Sequence, residues 1–284
     1  MLHPPLSLFS DDLLFSIVEH VAKLPSKDED LHNLSLADRA FTKSCQKYIF
    51  RDLKFGKGDI SKALKQVKRI LDDNPSFANQ IRMVEFIITG RWLWLFNEPT
   101  FINILQLLSK SPMPPHEFHL GGHRYSWFVI EDPTFVVQQL ARSFFSQTLT
   151  ILRLTECPNV PSSLFLICPR LREVFLDHVG PTGNRYDNYP DDQCSGREAP
   201  RVEVFDCRNS SSLVKRMIAP PPRFKTPVVI WSNLRVLKLI SRQGMACLQP
   251  ILDAACNTLE ELYLDETDRG KCRCSIYFDN TKRH

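Results

Sequence analysis

The residues of this chain that could do chemistry do not stand at the spacings that known catalytic motifs require. The 284 residues contain neither a Gly-x-Ser-x-Gly nucleophile elbow nor a phosphate-binding loop that ends in Gly-Lys-Ser or Gly-Lys-Thr. Gly121–His123 looks superficially like part of an oxyanion loop, but without a serine elbow we interpret it as a turn after a strand. The acid pairs Asp11–Asp12 and Asp191–Asp192 are adjacent residues, whose side chains diverge on a helix or a strand. We therefore predict that the protein is not an enzyme and has no catalytic residues.

The cysteines indicate neither a disulfide framework nor a metal site. They number nine and are scattered along the chain, which suits a reducing compartment. Cys272 and Cys274 form one close pair, but His284 is the one further ligand nearby, which is too few for a metal ion. We therefore predict no metal and no cofactor.

The composition is that of an ordinary globular protein inside the cell. Apolar residues make up 43% and charged residues 24% of the chain. The net charge of +4 is too small to indicate nucleic acid or a membrane surface as a partner. The first residues lack the basic and apolar regions of a signal peptide, and no apolar run reaches the roughly 18 residues of a membrane span. We expect a cytoplasmic location, a nuclear location or both.

One apolar template recurs from residue 81 onward: an apolar residue is followed by two others, three and five positions later. Because the second and third positions lie two apart, both face one side of a strand. The starts are separated by 22 to 34 residues, a range typical of repeats built from a short strand and a helix. Five matches are strict and the last two are looser: Ile81/Val84/Phe86, Leu149/Leu152/Leu154, Leu171/Val174/Leu176, Leu234/Leu237/Leu239, Leu259/Leu262/Leu264, Pro115/Phe118/Leu120 and Val202/Phe205/Cys207.

Helices are predicted between these strands, so the expected fold class is α/β. The clearest apolar stripe runs from Ile60 to Leu71, with basic residues on the opposite face. Polar residues 180–200 are predicted to form a surface loop, and Pro220–Pro222 a connector or a polyproline ligand. Further helices are predicted after Pro99, after Asp132–Pro133, over Ser210–Ile218, and over Met245–Ala255 with a kink or early end at Pro250.

The N-terminal segment carries more apolar residues than a small helical core can cover. Ser10 is a candidate cap for a first helix, on which Leu13, Leu14, Ile17 and Val18 form one face. Further apolar residues follow up to residue 50, whereas a segment this short closes only a small core. The surplus of apolar side chains predicts that a partner covers them.

This segment resembles an F-box, the adaptor-binding module of cullin-RING ubiquitin ligases. The chain departs from the family pattern at Phe9–Ser10, where Leu-Pro is usual, at Asp38, where Cys is common, and in an extra acidic loop over residues 25–30. The residues that carry the resemblance are Asp12-Leu13-Leu14, Ile17-Val18, Leu34-Ser35-Leu36, Arg39-Ala40-Phe41 and Tyr48-Ile49-Phe50-Arg51.

The resemblance implies a Skp-type adaptor and, through it, a cullin as partners. Some of the implied contact residues must instead form the module's own core, and the sequence does not divide the two sets. Carried over onto this chain, the adaptor-binding residues are Leu13, Leu14, Ile17, Val18, Leu34, Leu36, Phe41, Tyr48 and Phe50.

Residues 77–265 resemble an irregular leucine-rich-repeat array of the kind that follows F-boxes, although the asparagine that often follows the third apolar position is missing. The expected fold is thus α/β, with a short helical F-box module followed by a solenoid of short parallel strands and helices. An ordinary α/β domain is the alternative. The expected domains are residues 1–56 for the F-box-like module, 57–76 for a linker helix, 77–265 for the repeats and 266–284 for a polar tail or incomplete cap.

The residues that flank the core positions of each strand would face outward and bind a target protein. Among them Ile151, Phe175, Val236 and Tyr263 are expected to line up across neighbouring strands, unless loops cover them. The predicted target-binding residues are Ile151, Arg153, Glu173, Phe175, Asp177, Lys238 and Tyr263.

Two functions fit this organisation. The first is a substrate receptor of a Skp–cullin–F-box ubiquitin ligase, with an unidentified protein as its target. The second is a repeat-based interaction scaffold without a ubiquitin role, whose N-terminal helices only cap the repeats. Exposure of Leu14, Ile17 and Phe50 would favour the first, and their burial against the first repeat would favour the second.

Overall fold

The computed structural model describes residues 10–24, 26–56, 59–88, 98–122, 144, 146–181, 198–219, 227–241, 248–266 and 273–277. Several predictions fall outside these residues and stay predictions. They concern the helix after Asp132–Pro133, most of the polar loop with Asp191–Asp192, the Pro220–Pro222 segment, and the residues Cys272 and His284. In the part of the chain that is described, no helix is long and apolar enough to cross a membrane.

Three helices form the N-terminal module: α1 (Asp11–Val21), α2 (Lys27–Ala37) and α3 (Arg39–Ile49). The Ser10 side chain caps α1 by accepting from the Leu13 N–H, as the sequence predicted, and the Asp38 side chain caps α3. The helices enclose a small core of their own, separate from the core of the sheet. Its buried residues are Leu14, Val18, Leu31, Phe41 and Cys45.

The acidic stretch predicted as a loop is mostly helical. Lys27 begins α2, and Asp28, Glu29 and Asp30 occupy the first turn of that helix. Acidic side chains are favourable there because the free N–H groups give the start of a helix a partial positive charge. The loop between α1 and α2 is correspondingly shorter than expected.

All seven matches to the apolar template lie on strands, as predicted. The structure adds one strand before them and one after them, in a nine-stranded sheet whose spatial order follows the chain. Strands β1 to β8 are parallel, and β9 is antiparallel to β8. The strands are β1 (Asp52–Phe55), β2 (Met83–Ile88), β3 (Glu117–Gly122), β4 (Ile151–Thr155), β5 (Glu173–Asp177), β6 (Val204–Arg208), β7 (Val236–Ser241), β8 (Glu261–Glu266) and β9 (Arg273–Tyr277).

The sheet begins earlier than the expected residue 77. Phe50, Leu53 and Phe55 also match the apolar template, and β1 pairs in parallel with β2. Phe55 stacks on Phe86 with ring centroids 5.0 Å apart. The predicted linker helix is α4 (Ile60–Asp73), and it packs into the sheet core as the connection between β1 and β2.

The core lies between one face of the sheet and the connecting helices. Each strand contributes every second side chain to this core, such as Leu152 and Leu154 on β4, and the helices contribute their apolar faces. The helices after α4 are α5 (Pro99–Ser109), α6 (Ser163–Ile167), α7 (Ser211–Ile218) and α8 (Leu248–Ala255). The class is therefore α/β with a parallel sheet, as predicted.

Two local predictions concern a proline and a pair of glycines. Pro250 lies in the first turn of α8, where a backbone N–H would have no helical partner, and the helix continues past it to Ala255. Gly121 and Gly122 do not form a turn, since they are the last residues of β3 and pair with β2. The Cβ that alanine would add at Gly121 meets its nearest neighbours at 3.9 Å, an ordinary contact.

The chain turns in the same way after three successive strands. Glu156, His178 and Asn209 follow β4, β5 and β6 with φ values of 54°, 54° and 49°. Each donates its backbone N–H to a carbonyl at the end of the next strand; that of His178, for example, bonds Arg208 O at 2.9 Å. These bonds align the three turns with one another at the carboxyl ends of the strands.

At the positions where leucine-rich repeats often have asparagine, this chain has a serine and a cysteine that make hydrogen bonds to the backbone. Ser210 Oγ accepts from the backbone N–H of Val179 at 2.8 Å and donates to the carbonyl of Arg208 at 2.8 Å. At the equivalent position Cys157 Sγ lies 3.4 Å from Leu120 O. A buried hydroxyl thus links the turns after β5 and β6, and a buried thiol links the turn after β4 to strand β3.

Candidate functional site

The nine predicted adaptor-binding residues divide into three groups. Leu14, Val18 and Phe41 are buried in the core of the module, so they stabilise the helices rather than offer a surface. The half-buried residues are Leu34, Tyr48 and Phe50, and the exposed ones are Leu13, Ile17 and Leu36, with 44%, 38% and 72% of their surface accessible.

The exposed apolar surface of α1 extends beyond those predictions. Leu13 and Ile17 are one helical turn apart and lie side by side. Phe15 and Leu24, which the sequence reasoning did not select, are exposed as well. The Phe15 ring lies 6.3 Å from the Tyr48 ring, so it belongs to the α1–α3 surface. Its place beside the buried stripe of α1 was the signal that could have identified it.

Leu14, Ile17 and Phe50 were expected to be either all exposed or all buried against the first repeat, but the structure places them in three different environments. Leu14 packs inside the helical module, Ile17 is exposed, and Phe50 contacts the Phe77 ring with centroids 4.4 Å apart. Phe77 belongs to the 3₁₀ helix Pro75–Asn79 that precedes β2. The module therefore contacts the first repeat through Phe50 and keeps its α1 surface uncovered by the residues described.

The second surface is the sheet face opposite the helices. All seven predicted target-binding residues lie on it, with Lys238 exposed and the others half-buried. The register aligns its central row across the strands from β1 to β8. The residues of this central row are Lys54, Glu85, His119, Arg153, Phe175, Asp206, Lys238 and Tyr263.

The expected single line of four apolar residues is wrong. Phe175 and Tyr263 lie in the central row, whereas Ile151 pairs with Glu173 in the neighbouring row, to which Val236 also belongs. Strand alternation identified the face correctly, and the register pairs equivalent positions of the apolar template, such as Leu152 with Val174. Ile151 and Val236 stand two positions after the first residue of their template match, whereas Phe175 and Tyr263 stand four positions after it, so they belong to different rows.

A polar network crosses β3, β4 and β5 on this face. Glu117 Oε1 accepts from His119 Nε2 at 2.7 Å and from Arg153 Nε at 3.2 Å. The Arg153 guanidinium lies 3.6 Å from the centroid of the Phe175 ring, a cation–π contact. Glu117 and His119 were not selected from sequence because β3 matches the template loosely.

The network has a clear electrostatic effect on Glu117. The hydrogen bond from His119 is the largest cause that lowers the pKa of Glu117 to about 2, and Arg153 lowers it further, whereas burial opposes both. The carboxylate is therefore charged at all ordinary pH values. It holds His119 and Arg153 in place on the sheet face.

A depression of about 390 Å³ opens on the same face over β6, β7 and β8. On its floor Arg208 Nε lies 3.3 Å from Asp206 Oδ1, a pair that the sequence reasoning did not select. The hydrogen bond to Asp206 is the largest cause that raises the pKa of Arg208. The residues lining the depression are Asp206, Arg208, Lys238, Ile240, Glu261, Leu262 and Tyr263.

The two cysteines with a raised pKa do not meet the requirement of a reactive thiolate, and the His, Cys, Asp and Glu side chains of the described chain do not meet that of a metal site. Burial raises the pKa of the Cys157 thiol to about 12 and also raises that of Cys45, so neither is a reactive thiolate. Within the described ranges, no group of three or more His, Cys, Asp or Glu side chains could hold a metal ion. What the geometry offers is two surfaces for contact with other molecules.

Comparison with protein-family models, with curated proteins and with solved structures gives no significant match to this chain.

Proposed function

We propose that the protein is a substrate receptor of a Skp–cullin–F-box ubiquitin ligase. In this function α1 to α3 bind a Skp-type adaptor, and the open face of the sheet binds the target protein. The receptor needs no chemistry of its own, because it raises the effective concentration of the target near an enzyme that other subunits recruit.

One observation carries the proposal: a helical module with its own core presents apolar side chains that no described residue covers. Leu13, Ile17 and Leu36 are exposed although the module contains only five fully buried core residues. Apolar side chains at helical spacing are suited to bind a groove or a helix of a partner. Burying a fully exposed Leu or Ile contributes about 1.5–3 kcal/mol, so the loss of one such contact should weaken adaptor binding measurably.

The sheet supports the second part of the proposal. Its parallel strands follow the chain order, and each connecting helix returns to the same face, which is the arrangement expected of a leucine-rich-repeat solenoid. The opposite face carries charged and aromatic side chains in register. Such a face suits recognition of a protein rather than burial in a core.

A scaffold without a ubiquitin role is the second candidate, and the contacts between the module and the first repeat favour it. Phe50 packs on Phe77, and Lys27 Nζ lies 3.4 Å from Asp52 Oδ2 on β1. These contacts are what a helical cap on the repeats would make.

Co-purification of the full chain with a Skp-type adaptor and a cullin tests the proposal. We expect the native chain to bind the adaptor and Ile17→Asp to weaken binding by about tenfold or more, because an apolar contact is replaced by a charge. Ile70→Asp is the matched control, since Ile70 on α4 has a similar exposure, 40% against 38% for Ile17, and lies outside the module.

Circular dichroism and the thermal midpoint should show that both variants stay folded, because both side chains are exposed. Leu14→Asp also abolishes adaptor binding on this proposal, but it is a poor test, since Leu14 is buried and its loss unfolds the module. Failure of the native chain to bind the adaptor, or equal binding by the Ile17 and Ile70 variants, would favour the scaffold.

A further inference from the structure

The part of the sheet face formed by β5 to β8 is acidic, although the whole chain carries a net charge of +4. Five carboxylates oppose two cations there, so this surface has charge of the opposite sign to the rest of the protein. The carboxylates are Glu173, Asp177, Asp206, Glu261 and Asp265, and the cations are Arg208 and Lys238.

The depression of about 390 Å³ lies within this acidic part of the face. Asp206 is already paired with Arg208, and the Tyr263 hydroxyl donates to Asp265 at 3.4 Å. Glu261 lines the depression, and no cation among the described residues lies within 4 Å of its carboxylate. A charged acceptor and an aromatic ring therefore stand together at an open cavity.

The same face already shows how it holds a guanidinium. Arg153 lies on the Phe175 ring and is bonded to Glu117, so a ring and a carboxylate on the two neighbouring strands hold it together. Tyr263 and Glu261 offer a ring and a carboxylate at the depression as well, although both stand on β8, two residues apart on the same face of that strand. No arginine of the described chain makes a cation–π contact with the Tyr263 ring.

We propose that the β5–β8 face binds an arginine-bearing, extended segment of the target, with one guanidinium seated in the depression against Tyr263 and Glu261. This inference deepens the proposed function and rests on its target-binding part. Arginine fits better than lysine, because its planar guanidinium stacks on a ring and bonds a carboxylate at the same time. Lys238 in the same depression repels the incoming cation and limits the affinity, whereas the charge of Arg208 is partly offset by its pairing with Asp206.

The test is a calorimetric titration of the full chain with two acetylated seven-residue peptides, one alternating serine and arginine and the other serine and citrulline. Citrulline keeps the shape of arginine but has no charge. We expect the arginine peptide to bind and the citrulline peptide to bind about tenfold more weakly or not at all.

Variants then locate the site. Glu261→Gln should weaken binding of the arginine peptide about three- to tenfold, and Lys238→Met should strengthen it by a similar factor. Glu85→Gln is the matched control, since Glu85 lies on the same face at β2, away from the depression, and its removal should leave binding unchanged.

Equal binding of the two peptides would overturn the inference, as would equal effects of the Glu261 and Glu85 variants or no effect of Lys238→Met. Binding of neither peptide, together with retained adaptor binding, refutes the inference and leaves the ubiquitin-ligase proposal standing. Peptide binding with the expected pattern, without adaptor binding, supports the inference and refutes the ligase proposal.

Discussion

Glu117 is the residue through which three strands are connected on the open face of the sheet. It accepts from His119 on its own strand and from Arg153 on β4, and Arg153 in turn lies on the Phe175 ring of β5. Hydrogen bonds to a charged group are worth more than neutral ones when water is partly excluded. The ion pairs at the strand edges, such as Arg235 with Glu260, are exposed and contribute little by comparison.

The lowered pKa of Glu117 predicts a pH-dependent contribution to stability. Its pKa falls from an ordinary 4.5 to about 2 on folding, so the contribution is full above pH 4.5 and is lost as the pH falls toward 2. We expect Glu117→Gln to lower the free energy of unfolding by about 1–2 kcal/mol at pH 7. The difference from the native chain should disappear toward pH 2.

Urea unfolding of the native chain and of Glu117→Gln at several pH values measures this difference. Glu85→Gln on the same face is the control, because it has no ion pair among the residues described. A difference that stays constant from pH 7 to pH 3 would contradict the role assigned to the Glu117 carboxylate.

At the scale of the element, β1 is the strand that joins the helical module to the sheet. Phe55 continues the aromatic stack of Phe86, and Gly56 follows it with φ +156°. A Cβ at Gly56 would lie 2.5 Å from Ile87 Cβ and 2.7 Å from Ile87 O, so no side chain fits without moving β2. The close approach of two backbones requires glycine here.

Gly56→Ala should therefore destabilise the protein by about 1–3 kcal/mol, through both the close contact and the unfavourable φ. Gly121→Ala is the control, since its nearest neighbours would lie at 3.9 Å. Thermal unfolding followed by circular dichroism measures both. Similar thermal midpoints for the two variants would mean that β1 shifts freely against β2.

The strands show how far the sequence determines the structure. The seven strands predicted from β2 to β8 are confirmed because each repeats the same apolar spacing on one face. β1 also has that spacing, in Phe50, Leu53 and Phe55, but these residues stood within the segment assigned to helices. The apolar spacing identifies a strand. Because the same residues also lay within the segment assigned to the helical module, the sequence alone did not show that the sheet begins at β1.

The candidate site was predicted in outline. Alternation along each strand correctly placed the predicted target-binding residues on the open face, whereas partnerships such as Glu117 with Arg153 connect residues 36 positions apart in the chain. The register itself follows the apolar template, because equivalent template positions lie opposite each other, but the template does not predict which polar side chains bond each other across it. Among the predicted adaptor-binding residues, the pattern could not separate the buried Leu14 from the exposed Leu13, because both belong to one broad apolar stripe.

At the scale of the whole molecule, two cores of very different size lie in one chain. The module encloses five buried residues, whereas the sheet core runs continuously from Phe55 to Leu262. A small core offers less free energy against local opening. The helical module is therefore expected to be the least stable part of the described chain.

Hydrogen exchange followed by mass spectrometry tests this expectation. Backbone amides of α1 to α3 should exchange about tenfold faster or more than those of β4 to β7, which are bonded to strands on both sides. Peptides from α5 and α7 serve as controls, since these helices pack on the sheet core and should exchange slowly. Equal protection of the module and the central strands would show that the two cores unfold together.

The reversed direction of β9 has a consequence for self-association. A row of parallel strands in chain order could in principle continue from the last strand of one copy to the first strand of another, and such open stacking produces filaments. β9 runs against β8, so the described end of the sheet no longer offers the parallel hydrogen-bonding pattern in which β1 is paired. A second copy whose strands run in the same direction as β1 to β8 would have to pair its β1 antiparallel to β9, so an all-parallel sheet does not continue from copy to copy through the strands described.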